Sequence, residues 1–382
     1  METSHHLLVV LFVAVSLGLL NQCPESFLRS TNLLLFNPEY YHGENVQSNF
    51  FEGWYYKMVP PKSSSSKSVA IVPGIFFGNS TNSSETHAFI FVNDGGDLQH
   101  YYRFPISDFS FSKPSDGAFS VSIGNNHFTS HSISVNLSPK ENDDATLTIA
   151  GELTFTNLSP WPVTTFGLGA MGFVGWMPFL ECTHGVLSFD HEIQGQLVMD
   201  GVEMEYHGGR GYIEKDHGSK FPSLWIWIQT NSFAKHPGTS LFFSVARIPT
   251  LGTEFPGFTA AVWHDNILVP FASYTGASFE ILDVNEKEIH LRIRGSGHSL
   301  DVTADRQVPH ALLYGPVDGN RMFPSVREAL SSTVRMVFTR ESDGVVLVDD
   351  IGSDAGLEVH RDVEWLRRNM CGEESAGWLI CL

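Results

Sequence analysis

Short runs in which apolar and polar residues alternate, among them 69–77, 86–92, 119–123 and 147–155, recur along the chain, and helical spacing is nearly absent after the first two dozen residues. Alternation with period two is the mark of a strand that buries one face. Turn signals fall between the runs at hairpin spacing: Asn93-Asp94-Gly95-Gly96, Ser115-Asp116-Gly117, Asp200-Gly201 and Ser342-Asp343-Gly344. The chain therefore reads as an all-β protein of meandering antiparallel sheets. The polar stretches 62–67 and 79–84 read as loop tips. One helix is expected over 323–338, where Pro324 and Ser325 precede Val326, Leu330, Val334 and Val337 at three-to-four spacing.

With 382 residues the chain is too long for one barrel and suits two. A weak internal repeat supports this: Ser48-Asn-Phe50-Phe-Glu-Gly-Trp54-Tyr-Tyr56 matches Ser219-Lys-Phe221-Pro-Ser-Leu-Trp225-Ile-Trp227. Each places Phe, then Trp, then another ring on a strand, as the opening strand of a lipocalin-type barrel does. The expectation is two tandem lipocalin-like antiparallel β-barrels with one or two short helices, the first over 37–203 and the second over 204–362, followed by a tail over 363–382.

Composition narrows the partners. The 29 Phe, 8 Trp and 10 Tyr exceed what a surface needs, so rings are expected to line interiors or a cavity for a hydrophobic small molecule. Lys and Arg number 23 against 42 Asp and Glu, a net charge of −19 that repels phosphate backbones, so nucleic acid is not an expected partner.

The apolar run Leu7 to Leu20 has the length of a signal-peptide core and reads as a secretory leader ending near residue 23; the alternative is an uncleaved anchor that attaches the chain to a membrane. Sequons at Asn79, Asn82, Asn136 and Asn157 suit a lumenal or secreted chain. Of the cysteines, Cys23 lies at the leader boundary, Cys182 in the body, and Cys371 and Cys381 in the tail, where a disulfide is expected.

Three segments carry chemistry. In Phe50-Phe51-Glu52-Gly53-Trp54-Tyr55-Tyr56-Lys57, alternation sets Glu52, Trp54 and Tyr56 on one face, a carboxylate beside two rings. Were that face inside the barrel, burial would raise the carboxyl into a useful range for acid catalysis; on the outer face it would be a solvated Glu. In the stretch 208–218, Tyr212, Glu214 and Asp216 share one face and Lys215 and His217 the other. Either one of its carboxyls is a proton donor or the cluster is a salt-bridged corner. In the stretch 221–231, Trp225, Trp227 and Gln229 share a face opposite Ile226 and Ile228, and both faces look buried. Two indoles suit a developing cation, each worth about 0.5 to 2 kcal/mol, although a packed core would use similar residues.

A fourth, apolar and Gly-rich segment over 166–178 runs into Glu181-Cys182-Thr183-His184 and could line an entrance; His184 and His191 are expected on opposite faces, which does not indicate zinc, and Cys182 reads as a small buried hydrophobe. Phosphate-cradling loops, dinucleotide-binding glycines, a Gly-x-Ser-x-Gly elbow and paired Cys-x-x-Cys are missing from the sequence, so cofactor-free chemistry is the expectation.

At these segments the chain resembles the tocopherol cyclase family. The resemblance lies in Phe51 to Tyr55, Glu214 to Gly218, Phe221-Pro222, Trp225 to Gln229, the Glu181-Cys182 and His184-Gly185 block and the closing Gly356-Leu357-Glu358. It implies a two-barrel, lipocalin-like fold related to carotenoid hydratases, and an acid-catalysed, metal-free cyclisation in which a phenolic hydroxyl adds across a prenyl double bond. Where the family has Trp, this chain has His217, and its leader is apolar where plant members carry plastid transit peptides.

The roles that follow are Glu214 or Asp216 as proton donor, with Lys215 and His217 tuning it. Glu52, Trp54, Tyr56, Tyr212, Trp225 and Trp227 would shape the substrate pocket and Gln229 would orient the hydroxyl. The alternatives are a secreted lipid carrier without catalysis and a hydratase of isoprenoid double bonds.

Overall fold

The computed structural model describes residues 36–79, 85–96, 99–141, 143–164, 167–176, 180–250, 253–361 and 364–369. The expected leader, Cys23, Asn82 and the tail cysteines Cys371 and Cys381 lie outside them. Among the described residues no helix is long and apolar enough to cross a membrane.

Two large antiparallel sheets make up the fold, of 12 and 11 strands. In the first, the opening strand Phe50–Val59 pairs on one side with the next strand, Val69–Phe77, and on the other with the closing strand of the same sheet, Gly209–Gly218. The second repeats this circuit: its opening strand Trp225–Thr230 lies between Ser240–Thr250 and the closing strand Val345–His360. The aromatic repeat in the sequence is thus also a repeat of position. Neither sheet closes: Gln99–Phe104 and Phe109–Phe111 are the two ends of the first, Ile267–Ala272 and Ser278–Val284 those of the second. Yet Tyr102 and Phe104 from one edge share a core with Val121 and Ile123 near the other, so the first sheet curls back on itself. The all-β, antiparallel expectation holds, with lipocalin-like sheets left open.

Each sheet has its own core, and the opposite faces of the two sheets meet in a third cluster, the seam. Trp54, Tyr56 and Met58 of the first opening strand fill the first core while Phe51 and Tyr55 enter the seam; Ile226 and Ile228 fill the second core while Trp225 and Trp227 enter the seam. A register slip of one residue would exchange core and seam rings throughout. Since burying such a side chain contributes about 1.5 to 3 kcal/mol, the register is strongly fixed.

Two expectations are corrected. Residues 323–338 are not a helix but most of the strand Phe323–Arg340, flanked by His298–Asp305 and Val345–His360. Ser332, Val334, Met336 and Phe338 alternate inward against exposed Ser331, Thr333 and Arg335, while Leu330, beyond a register shift, enters the seam. A serine at a core position hid the period of two. The change of sheet comes between Gly218 and Trp225 rather than at residues 203 and 204, because Gly209–Gly218 pairs back to the opening strand of the first sheet. That pairing is non-local, beyond the reach of a local pattern.

Polar bonds clamp the seam. Lys57 Nζ donates to Gln229 Oε1 at 2.9 Å and to the Asp354 carbonyl; Tyr55 Oη donates to Glu328 Oε1 at 2.6 Å, and Asn93 Nδ2 to Glu328 Oε2 at 2.7 Å. Burial pulls Lys57 down to about 8 against the opposing charges of Asp354, Glu328 and Glu214.

Candidate active site

A cavity of about 230 Å³ opens in the seam. Phe51 and Tyr55 from the first opening strand, Trp225 and Trp227 from the second, and Met171 and Val174 from the Gly-rich stretch give it apolar and aromatic walls. Glycine makes this packing possible at two points. A Cβ on Gly356 would stand 2.5 Å from the Trp227 indole, and one on Gly74 would stand 2.3 Å from the Phe89 ring, which also lines the cavity.

Into this chamber the closing strand of the first sheet projects Glu214 and Asp216. Tyr212 Oη donates to Glu214 Oε2 at 2.5 Å and Trp227 Nε1 donates to the same oxygen at 3.1 Å. Burial raises Glu214 to about 7, with His184 and the two hydrogen bonds opposing and Asp216 reinforcing the shift. Near neutral pH this carboxyl can hold a proton and release it. Replacing Trp227 with Phe keeps a ring but removes one donor to the carboxylate. A hydrogen bond to a charged group is worth about 1.5 kcal/mol or more and one pKa unit is about 1.4 kcal/mol. The Glu214 titration in Trp227→Phe is accordingly expected about one unit higher than in the parent, read by carboxyl-carbon NMR; an unmoved or lowered midpoint would contradict the assignment.

His184, on the neighbouring strand Cys182–Met199, lies opposite Asp216 in the pairing register. Its Nδ1 is 2.8 Å from Asp216 Oδ1 and its Nε2 is 3.5 Å from Glu214 Oε2, while its ring stacks on Phe242 with centroids 5.1 Å apart. Burial alone would lower the imidazolium, but the charges of Asp216 and Glu214 and the Asp216 hydrogen bond outweigh it and bring His184 to about 9. Glu358, on the second closing strand, faces the cavity with Oε2 accepting from Trp225 Nε1 at 2.6 Å; burial, reinforced by Glu328, holds it well above the usual carboxyl range.

Sequence reasoning set Tyr212, Glu214 and Asp216 on one face and Lys215 and His217 on the other, and the structure has this arrangement. It separates the rest of the expected site. Glu214, Asp216, Trp225 and Trp227 line the cavity, and Tyr212 stands behind Glu214 as its hydrogen-bond donor. Gln229 is bound by Lys57 rather than facing the cavity. Trp54 and Tyr56 fill the first core, behind the cavity wall, because the face of the opening strand that enters the seam is the opposite one.

Glu52, Lys215 and His217 also lie behind that wall. Lys215 Nζ contacts Glu52, the Tyr40 carbonyl and His42 Nδ1, and sits 5.2 Å from the centroid of the Trp54 ring. His217 stacks on His42 at 4.1 Å, and burial, with His42 and Lys215 adding to it, holds it well below the usual histidine range. His217 therefore lies outside the lining of the seam cavity. It faces a smaller hollow of about 70 Å³ shared with Lys215 and His184.

Two trios, His42 with Glu52 and His217, and His184 with Glu214 and Asp216, have ligand atoms within 4.8 Å of one another, a spacing that fits a metal ion. In the first, the Lys215 ammonium already meets Glu52 and His42. In the second, Glu214 Oε2 already accepts from Tyr212 and Trp227, and His184 Nδ1 already meets Asp216. His184 and His191 do fall on opposite faces: His191 packs on Phe155 of the first core. Cys182 lines the cavity, with burial, aided by Asp216, pushing its thiol well up.

A family model described as tocopherol cyclase-like matches residues 145–360. A probable chloroplastic tocopherol cyclase of Oryza sativa subsp. japonica is 24% identical over 213 residues, 52% of this chain and 43% of that protein. A chloroplastic tocopherol cyclase of Zea mays is 33% identical over 73 residues, 19% of this chain and 15% of that one. The matched stretches span less than half the length of either relative. Among solved structures, that of CghA with Sch210972 superimposes with a TM-score of 0.50 at 12% identity, covering 81% of this chain and 88% of that one, a likeness of fold. The family match takes in the strands that carry His184, Glu214, Asp216, both seam tryptophans and Glu358, and extends over more than half of the chain: this protein belongs to the tocopherol cyclase-like family.

Proposed function

We propose that the seam cavity performs an acid-catalysed intramolecular cyclisation of a prenylated phenol or related isoprenoid. The observation that carries the reading is Glu214: a buried carboxyl raised to about 7 in a chamber walled by Tyr55, Trp225 and Trp227. Its proton adds to the trisubstituted double bond and leaves a tertiary cation. Indole faces attract that charge, each by about 0.5 to 2 kcal/mol, and apolar walls keep water from capturing it. A phenolic oxygen held within reach then closes the ring. The chain itself supplies the proton, so the reaction asks for no bound cofactor.

The reading is tested by incubating the purified protein with geranylated hydroquinones and linear isoprenoids and analysing the extracts by chromatography and mass spectrometry. Ring closure leaves the mass unchanged and shifts retention, hydration adds the mass of water, and a carrier returns its ligand intact. Because the acid must start protonated, kcat/KM is expected to be level on the acid side of about pH 7 and to fall about tenfold per unit above it as Glu214 loses its proton. A profile that rises through this range would exclude Glu214 as the acid. A secretory address, proposed from the apolar run Leu7 to Leu20, would separate this chain from its chloroplastic relatives and from their substrate pool.

A further inference from the structure

Ring closure leaves one proton unaccounted for: Glu214 gives a proton to carbon, and the attacking hydroxyl must lose one. We propose that His184 is the catalytic base that takes the hydroxyl proton and returns a proton to Glu214, with Asp216 fixing its ring. The inference rests on the cyclase reading and deepens it.

The geometry assigns separate tasks to the two ring nitrogens. Nδ1 is held at 2.8 Å by Asp216 Oδ1, a bond that keeps the proton on that nitrogen and leaves exchange to the other. Nε2 is buried, makes no hydrogen bond, and sits 3.5 Å from Glu214 Oε2 on the cavity wall. The ring cannot readily drift, because it is stacked on Phe242 and its strand is in register with that of Asp216. Loose contacts of this kind tighten when substrate arrives.

The protons and electrons balance. The Glu214 O–H bond breaks as the π pair of the double bond forms a C–H bond. The imidazolium Nε2–H then passes its proton to the Glu214 carboxylate, restoring the acid and freeing the Nε2 lone pair. As an oxygen lone pair of the substrate forms the C–O bond, its O–H bond breaks and that proton goes to Nε2. Glu214, His184 and Asp216 end as they began. The titratable groups at the His184 ring nitrogens are Asp216 and Glu214, with Cys182 Sγ 3.5 Å from Asp216 Oδ1; His42, Lys215 and His217 face it from the smaller hollow that His184 also lines.

The test uses the full chain labelled with ¹⁵N-histidine and follows the His184 ring nitrogens by NMR against pH. Both nitrogens are expected to carry protons at neutral pH; on raising the pH, Nε2 loses its proton while Nδ1 keeps it. In Glu214→Gln the midpoint falls, because one carboxylate facing Nε2 is gone. Loss of the proton from Nδ1 first, or a midpoint indifferent to Glu214→Gln, overturns the proposal whatever the substrate proves to be. With the geranylated hydroquinone as probe, His184→Gln is expected to lower kcat about 100-fold or more with little change in KM. Asp216→Asn should move the ring to the other tautomer and lower kcat with it. A wild-type chain that leaves the probe unchanged counts against the cyclase reading alone, since the NMR outcome decides proton exchange by His184 independently.

Discussion

Glu214→Gln is expected to lower the turnover of a prenylated hydroquinone by about 10²- to 10⁴-fold, the usual contribution of a positioned general acid, while the folded structure and ligand affinity stay close to those of the parent. The amide is nearly isosteric and keeps an oxygen to accept from Tyr212 and Trp227, so both donors retain a partner. It has no proton to give to carbon. Binding is separable from chemistry here, because quenching of the fluorescence of Trp225 and Trp227 on the cavity wall reports occupancy without turnover. Retained binding with lost turnover is the expected pair of results; full turnover in the Gln variant would move the acid elsewhere, with Glu358 the first candidate. The same substitution should flatten one component of the pH dependence of stability. A carboxyl raised in the folded state favours folding fully at low pH and loses that contribution as pH rises through its folded value, about 7 for Glu214. Denaturation midpoints measured from acid to neutral pH are expected to decline less steeply in the variant.

How far the sequence could be read depended on whether the information was local. Strand content, turns and the antiparallel character of the sheets were legible because alternation and Asn/Asp-Gly punctuation are local signals. The opening strands were legible because Phe, Trp and a third ring recur in each. The face assignment within 208–218 was also legible, since period two is a property of one strand. Which face meets the cavity was not, because it depends on how one sheet lies against the other. The sequence reading therefore joined Glu52, Trp54 and Tyr56 to the site, whereas Phe51 and Tyr55, one residue out of phase, line it. His184 stood in a noticed block, but its value lies in pairing opposite Asp216, 32 residues later. Glu358 and Glu328 lie more than a hundred residues from Glu214 and reach the seam only through the circuit of the second sheet.

The Lys215–Glu52 pair separates structural from catalytic charge within one short stretch. Lys215 was expected to tune the acid; instead its side chain is 1% exposed and that of Glu52 is fully buried, on the side of the sheet away from the cavity. Burial pulls the Lys215 ammonium down, and Glu52 is the foremost group opposing that fall. Removing one member of a buried pair strands the other charge, which typically costs about 3 to 5 kcal/mol, whereas replacing both by apolar groups of similar volume is often nearly neutral. Lys215→Met is therefore expected to destabilise the protein by about 3 to 5 kcal/mol in chemical denaturation, and Glu52→Leu combined with Lys215→Met to recover most of that loss. Part of the Glu52 charge stays satisfied in the single variant, because the His42 backbone N–H reaches both of its oxygens at 3.0 and 2.9 Å, so the lower end of the range is the nearer expectation. Turnover per folded molecule should change little in the double variant, since neither side chain reaches the cavity. Unchanged stability with collapsed turnover would place Lys215 in the catalytic machinery after all, with the ammonium acting on Glu214 through the sheet.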